Sequence, residues 1–193
     1  METKRSIEAS IKNKPKLLYW WRYPYIWVAI ASLTAITFLV LFPSLSGQFI
    51  QSWDDYGYAV SNQYINELSW ANIEGMFTNA LYGNYNPLTT LSFAIEKHFF
   101  GTNPFVHHFN NLLLHLLNAV LVFWLAIRLR VELIAAFLVS ILFAIHPMHV
   151  ESVAWITERK DVLYGALYCS AIYYYIQYIA SQKQRKELLW LTI

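Results

Sequence analysis

The sequence predicts an all-α integral membrane protein, a polytopic helix bundle that crosses the bilayer several times. The chain is 57% hydrophobic and only 13% charged, whereas about a quarter of the residues in soluble domains are charged. Its apolar residues also come in long uncharged blocks. A block of about 20 residues can cross the roughly 30 Å hydrocarbon core as a helix, so these blocks predict membrane spans.

Four blocks predict four complete spans, and a fifth span begins near the end of the sequence. They lie at about 25–42, 108–127, 133–147 and 162–181, with the start of the fifth at 188. A helix that stops inside lipid would leave its last carbonyl groups unsatisfied. We therefore expect residues 25–193 to be the N-terminal part of a larger membrane domain, truncated in its fifth span.

The distribution of charge predicts the orientation. Most of the 14 basic residues lie in the tail 1–24, in the turn between the second and third spans, and after the fourth span. Because Lys and Arg favour the cytoplasmic side, we expect a cytoplasmic basic tail and a cytoplasmic N-terminus. The protein would then lie in the inner, cytoplasmic membrane if it is bacterial, with most of its acidic residues on the extracytoplasmic side.

The segment between the first two spans, about 43–106, is predicted to be a long extracytoplasmic loop. Its apolar residues recur at three- and four-residue spacing, which is typical of amphipathic helices. Helices of this kind, joined closely to membrane spans, are expected to lie flat in the interface. The spaced residues are Val60, Tyr64, Leu68, Ile73, Met76, Phe77 and Leu81.

Asp54 and Asp55 are the first candidate catalytic residues. They follow the end of the first span, and a carboxylate close to hydrocarbon is costly and often functional. Such a group can act as a general base toward a hydroxyl. The alternative is a solvated loop acid or a helix N-cap, and the spacing does not decide which of the two aspartates is the base.

His146, His149 and Glu151 are the second group, beside Pro147 at the outer end of the third span. Two imidazoles and a carboxylate can bind a divalent cation. A divalent cation is the one cofactor that the sequence suggests. Alternatively, they hydrogen-bond one another and support the catalytic carboxylate. Deeper in the bundle, His115 and Asn118 in the second span predict buried interhelical hydrogen bonds.

Arg159 and Lys160 are the third group, at the entry to the fourth span. A cationic pair at headgroup level suits a phosphate, because Arg binds it with two hydrogen bonds and Lys acts as a point charge. One alternative is a local ion pair with Glu158 or Asp161. Another is that the Arg and Lys side chains extend from the span to the membrane interface, where their charges are solvated.

Around these residues the chain resembles the membrane domain of the TMTC-like proteins, the transmembrane and tetratricopeptide-repeat group of protein O-mannosyltransferase relatives, and it is more similar to their bacterial counterparts. One difference is Asn86, which stands where relatives often have Arg or His. The segments that carry the resemblance are 53–55, 84–93, 99–105, 108–115 and 143–161.

The resemblance implies a GT-C-type glycosyltransferase. Such an enzyme passes a sugar such as mannose from a polyprenyl-phosphate carrier to a protein or glycan hydroxyl at the extracytoplasmic face, with inversion. The resemblance also implies that Asp54 or Asp55 is an essential acid. It further implies that repeats follow the membrane spans and that these repeats bind partners. The expected partners are the lipid-linked sugar, the acceptor and the bilayer, with no nucleic acid.

Two other functions remain open. The first is a catalytically silent membrane anchor or scaffold for C-terminal repeats, in which neutral replacements of Asp54, Asp55 and Arg159 would be tolerated. The second is a transporter subunit, which would require ionisable groups near mid-bilayer. The acidic residues here cluster at span ends instead, which favours the enzyme.

Overall fold

Helices make up nearly all of the regular structure in residues 24–181, the part of the chain that the computed structural model describes. Between these limits the one β-type pairing is an isolated bridge between Leu81 and Asn84, so the all-α class is confirmed. The basic tail and the start of the fifth span lie outside the described residues. The helices are α1 (Pro24–Leu41), α2 (Trp70–Thr78), α3 (Pro87–Phe100), α4 (Pro104–Arg128), α5 (Leu133–Ala144), α6 (Val150–Ala154) and α7 (Arg159–Ser181).

Two of these segments are long and apolar enough to span a membrane. They are α1 with the turn that follows it, Pro24–Ser46 (23 residues), and α4, Pro104–Arg128 (25 residues). A third span forms if α5 and the segment Pro147–Ala154 are counted together, since a break with a bend of 50° separates them. The break falls where the sequence predicts it, because Pro147 lacks an N–H and restricts the residue before it.

The predicted fourth span, 162–181, is not among these candidates. It lies on α7, which at 23 residues is long enough. The helix contains Tyr173, Tyr174, Tyr175 and Gln177 in one short stretch, and these side chains make it less apolar than the other spans. By length and composition, the described residues therefore contain two or three candidate spans rather than four.

The spans pack around α4. Buried Ile26 and Leu33 of α1 meet Phe123 of α4 and Ala136 of α5 in one apolar cluster. On the other side α7 runs along α4. Gly165 permits this approach, because a Cβ there would lie 3.2 Å from the Asn118 amide nitrogen.

The predicted interhelical hydrogen bonds of the second span are confirmed. Asn118 donates from Nδ2 to the carbonyl oxygen of Val162 in α7, at 2.8 Å. His115 is hydrogen-bonded through Nε2 to the carbonyl oxygen of Ala144 in α5, also at 2.8 Å. These bonds join α7 and α5 to α4.

The long loop folds over one end of the bundle. Its helix α2 forms where the spacing of Ile73, Met76 and Phe77 predicts a helix, and Ser69 caps it. Helix α3 follows after a turn. The helix expected around 60–68 does not form. A π-type turn, Tyr56–Val60, and a 3-10 turn, Gln63–Ile65, replace it, because the Asn62 side chain accepts the N–H of Tyr64 and starts a new turn.

A second apolar cluster lies beneath the loop. Ala59, Ile65, Met76 and Phe93 come together there with Ile156, which precedes α7. The loop is thus packed against the segment that leads into Arg159 and Lys160, the third group of candidate residues.

Candidate functional site

Two segments that are distant in the sequence lie side by side at the start of the loop. The indole rings of Trp53 and Trp155 are 4.9 Å apart between centroids. Two residues further along both segments, Asp55 Oδ1 accepts the backbone N–H and the hydroxyl of Thr157, each at 3.1 Å. The fold thus brings the segment of Asp54 and Asp55 beside the segment that leads into Arg159 and Lys160.

The neighbouring aspartates have different surroundings. Asp55 is 1% exposed, and its second oxygen accepts the N–H of Ile50 at 3.0 Å. Its carboxylate therefore faces protein donors on both oxygens. Asp54 is exposed, and within residues 24–181 no group lies at hydrogen-bond distance from its carboxylate. A molecule outside the protein can reach Asp54 but not Asp55.

Lys160 is the accessible cation of the site. Its Nζ donates to Glu158 Oε1 at 2.8 Å, and its side chain is 42% exposed. Partial burial by itself lowers the pKa of Lys160. The hydrogen bond and charge of Glu158, together with the charges of Asp161 and Asp54, outweigh burial and raise the pKa. Lys160 is therefore positively charged at neutral pH and lies within the field of Asp54.

Arg159 is fully buried, although it precedes Lys160 directly. Its Nε donates to Asn111 Oδ1 at 2.7 Å, and its Nη2 donates to the carbonyl oxygen of His107 at 2.8 Å. Nη1 donates hydrogen bonds to the Glu96 carboxylate and to the hydroxyl oxygen of Ser92. In this structure the Arg159 guanidinium is closed off from an external phosphate, so the predicted donor-phosphate contact does not fit its position.

Glu96 and His107 complete a buried ionic network around Arg159. Glu96 lies on α3 and accepts from the imidazole of His107 as well as from Arg159 and Asn110. Burial alone would raise the pKa of Glu96, but the hydrogen bond of His107 and the charge of Arg159 lower it. The network ties the loop helix α3 to α4 and to the start of α7.

Sequence reasoning missed Glu96 and His107, because their partner lies more than 50 positions away in the chain. One signal for the burial of Arg159 was available. Arg159, Val162 and Ala166 follow helical spacing and share the buried face of α7. Lys160 falls on the other side.

The group His146, His149 and Glu151 does not form a metal site in the structure. His146 Nδ1 accepts the N–H of Met148 as a turn cap. The His149 ring lies against Phe143, with centroids 4.5 Å apart, and Glu151 is exposed. Within residues 24–181, no three His, Cys, Asp or Glu side chains are placed to hold a metal ion together.

Comparison with known proteins confirms the resemblance. The chain is 34% identical over 161 residues to protein O-mannosyl-transferase TMTC1 of Homo sapiens, which covers 76% of the chain and 18% of that protein. It is 30% identical over 150 residues to protein O-mannosyl-transferase TMTC2 of Mus musculus, covering 72% of the chain and 17% of the relative. The sequence is thus TMTC-like over most of its length.

The chain spans less than a fifth of the length of these curated relatives. No family model matches it, and no solved structure matches it either.

Proposed function

We propose that the chain is part of a GT-C-like glycosyltransferase. It would transfer a sugar, such as mannose, from a polyprenyl-phosphate carrier to a hydroxyl of a protein or glycan at the extracytoplasmic face, with inversion. The names of the relatives support a mannosyl transfer, and the candidate spans support a membrane location. The observation that carries the proposal is the hydrogen bond that Asp55 accepts from Thr157, which brings the exposed Asp54 beside the segment that leads into the half-exposed Lys160.

Asp54 is the general base in this proposal. It takes the proton of the acceptor hydroxyl while that oxygen forms a bond to the anomeric carbon. Base catalysis of this kind contributes about two to four powers of ten in rate. Asp54 suits the role because it is exposed, whereas Asp55 is buried and holds the backbone of the site in place.

Lys160 binds the phosphate of the donor. As the new bond forms, the bond between the anomeric carbon and the phosphate oxygen breaks, and its electron pair stays on the polyprenyl phosphate. A cation at that position stabilises the developing charge, an effect worth about 3 kcal/mol per donor group elsewhere. Asp161 and Glu158 keep Lys160 charged.

The remaining predicted site residues have positioning roles in this proposal. Arg159 anchors the start of α7, which orients the adjacent Lys160. His146 and His149 lie in the break after α5, and Glu151 lies on α6; in this proposal all three support the site from outside it. The donor approaches from the lipid bilayer, because its polyprenyl chain is confined there.

The test uses the full-length gene product in membranes. These are supplied with radiolabelled polyprenyl-phosphate mannose, and label is followed into protein and glycan. Transfer above that of membranes without the protein supports the proposal. No transfer from this donor or from other polyprenyl-phosphate sugars contradicts it and favours the scaffold, which would still bind its partners.

A further inference from the structure

The Trp53–Trp155 pair stands at the edge of the proposed site. Trp53 directly precedes Asp54 in the chain. One side of its ring meets Trp155, with the two planes at 57° to each other. Even so, 58% of Trp53 is exposed. Trp155 therefore supports the Trp53 ring, and the exposed part of that ring is accessible to a flat ligand.

A sugar ring is such a ligand. The C–H groups on one side of a pyranose carry partial positive charge, and the face of an aromatic ring is negative. Aromatic side chains with a few placed polar groups are typical of small-molecule sites.

We propose that Trp53, supported by Trp155, is the platform that binds the sugar ring of the lipid-linked donor. This inference rests on the proposed function. The anomeric carbon must be reached by the acceptor oxygen that Asp54 activates, and its phosphate must reach Lys160. The sugar ring therefore lies beside Asp54, where Trp53 presents the adjacent exposed aromatic surface.

The alternative is a purely structural role, in which Trp53 anchors the loop in the membrane interface, where tryptophan is common. Trp70 offers a matched control. It is also on the long loop and is 79% exposed, but it begins α2, a helix that packs on α3 and on the turn Gln63–Ile65.

The experiment measures binding of two probes to the purified full-length protein in lipid nanodiscs. One probe is polyprenyl-phosphate mannose, and the other is polyprenyl phosphate without sugar. The ratio of the two affinities reports the contribution of the sugar alone. It needs no turnover, so it separates failure of this inference from failure of the proposed reaction.

The variants are Trp53→Leu, Trp53→Phe and Trp70→Leu. Trp53→Leu keeps an apolar side chain against Trp155 but removes the ring face. We expect it to reduce the sugar-dependent affinity ratio about three- to tenfold, with binding of polyprenyl phosphate unchanged. Trp53→Phe retains most of the ratio, and Trp70→Leu leaves it unaltered.

Two results would overturn the inference. The first is an unchanged affinity ratio in Trp53→Leu. The second is an equal loss of the ratio in Trp70→Leu, which would indicate anchoring in the interface. Unchanged binding of the sugar-free probe shows that Trp53→Leu is folded.

Discussion

The Asp55 carboxylate accepts both the N–H and the hydroxyl of Thr157, 102 positions further along the chain. With its other oxygen it accepts the N–H of Ile50. One buried side chain therefore joins the end of the first span to the segment before α7. The two adjacent aspartates therefore suit different roles, since holding the backbone requires burial and the proposed acceptance of a substrate proton requires access.

Replacing Asp55 is expected to destabilise the protein. In Asp55→Asn, an amide group faces N–H or O–H donors, and leaving buried polar groups unsatisfied costs about 1–3 kcal/mol. The measurement is thermal unfolding in detergent. Asp54→Asn is the matched control and should stay within about 0.5 kcal/mol of wild type, as surface changes usually do. Equal losses in both variants would contradict the different roles.

Replacing Arg159 is expected to reduce the stability of the protein more than replacing Asp55 does. Arg159→Met leaves Glu96 buried without its main cationic partner, and breaking a buried ion pair costs about 3–5 kcal/mol. Arg159→Lys should restore little, because one ammonium cannot reach Asn111, Glu96 and the His107 carbonyl at once.

Lys160→Met is the control for this effect, since its side chain is partly exposed. Unfolding of these variants should be compared with that of Glu96→Gln and the double variant Arg159→Met/Glu96→Gln. We expect the double variant to lose less than the sum of the two single losses, because the residues are in contact. An additive result would mean that the two side chains do not act as a pair.

The all-α bundle class and the interhelical hydrogen bonds of His115 and Asn118 could be predicted, because long apolar blocks and the isolated polar residues within them are visible in the sequence. The break at Pro147 could be predicted because proline lacks an N–H. The network of Glu96, His107 and Arg159 could not, since it pairs groups from three helices. The tyrosines of α7 lower its hydropathy without adding charge, so an uncharged block alone does not identify a span.

Glu96 is also expected to make stability depend on pH. Its pKa in the folded protein lies below the ordinary value of 4.5. A carboxyl with a lowered pKa contributes stability above its unfolded-state pKa, and this contribution is lost as the pH falls through the folded-state pKa. The stability difference between wild type and Glu96→Gln should therefore be constant at neutral pH and shrink below about 4.5.

Unfolding midpoints measured from pH 7 down to about 3 test this expectation. A difference between wild type and Glu96→Gln that grows as the pH falls would contradict the assigned direction of the pKa shift.

Lys160 is expected to act on the donor. Lys160→Gln removes a charge-assisted contact worth about 1.5–3 kcal/mol. The KM for the lipid-linked sugar should then rise by roughly ten- to a hundredfold, with the KM for the acceptor unchanged. Lys160→Arg keeps the charge and should retain most of the affinity. An equal rise in Lys160→Arg and Lys160→Gln would show that the charge of Lys160 is not what the donor requires.

Asp54 is the proposed general base. The most direct test of this role is the rate of sugar transfer by full-length Asp54→Asn in membranes, at saturating donor and acceptor, beside wild type at equal expression. We expect the rate to fall by about two to four powers of ten while the unfolding midpoint is unchanged. Transfer at the wild-type rate by Asp54→Asn would contradict the account.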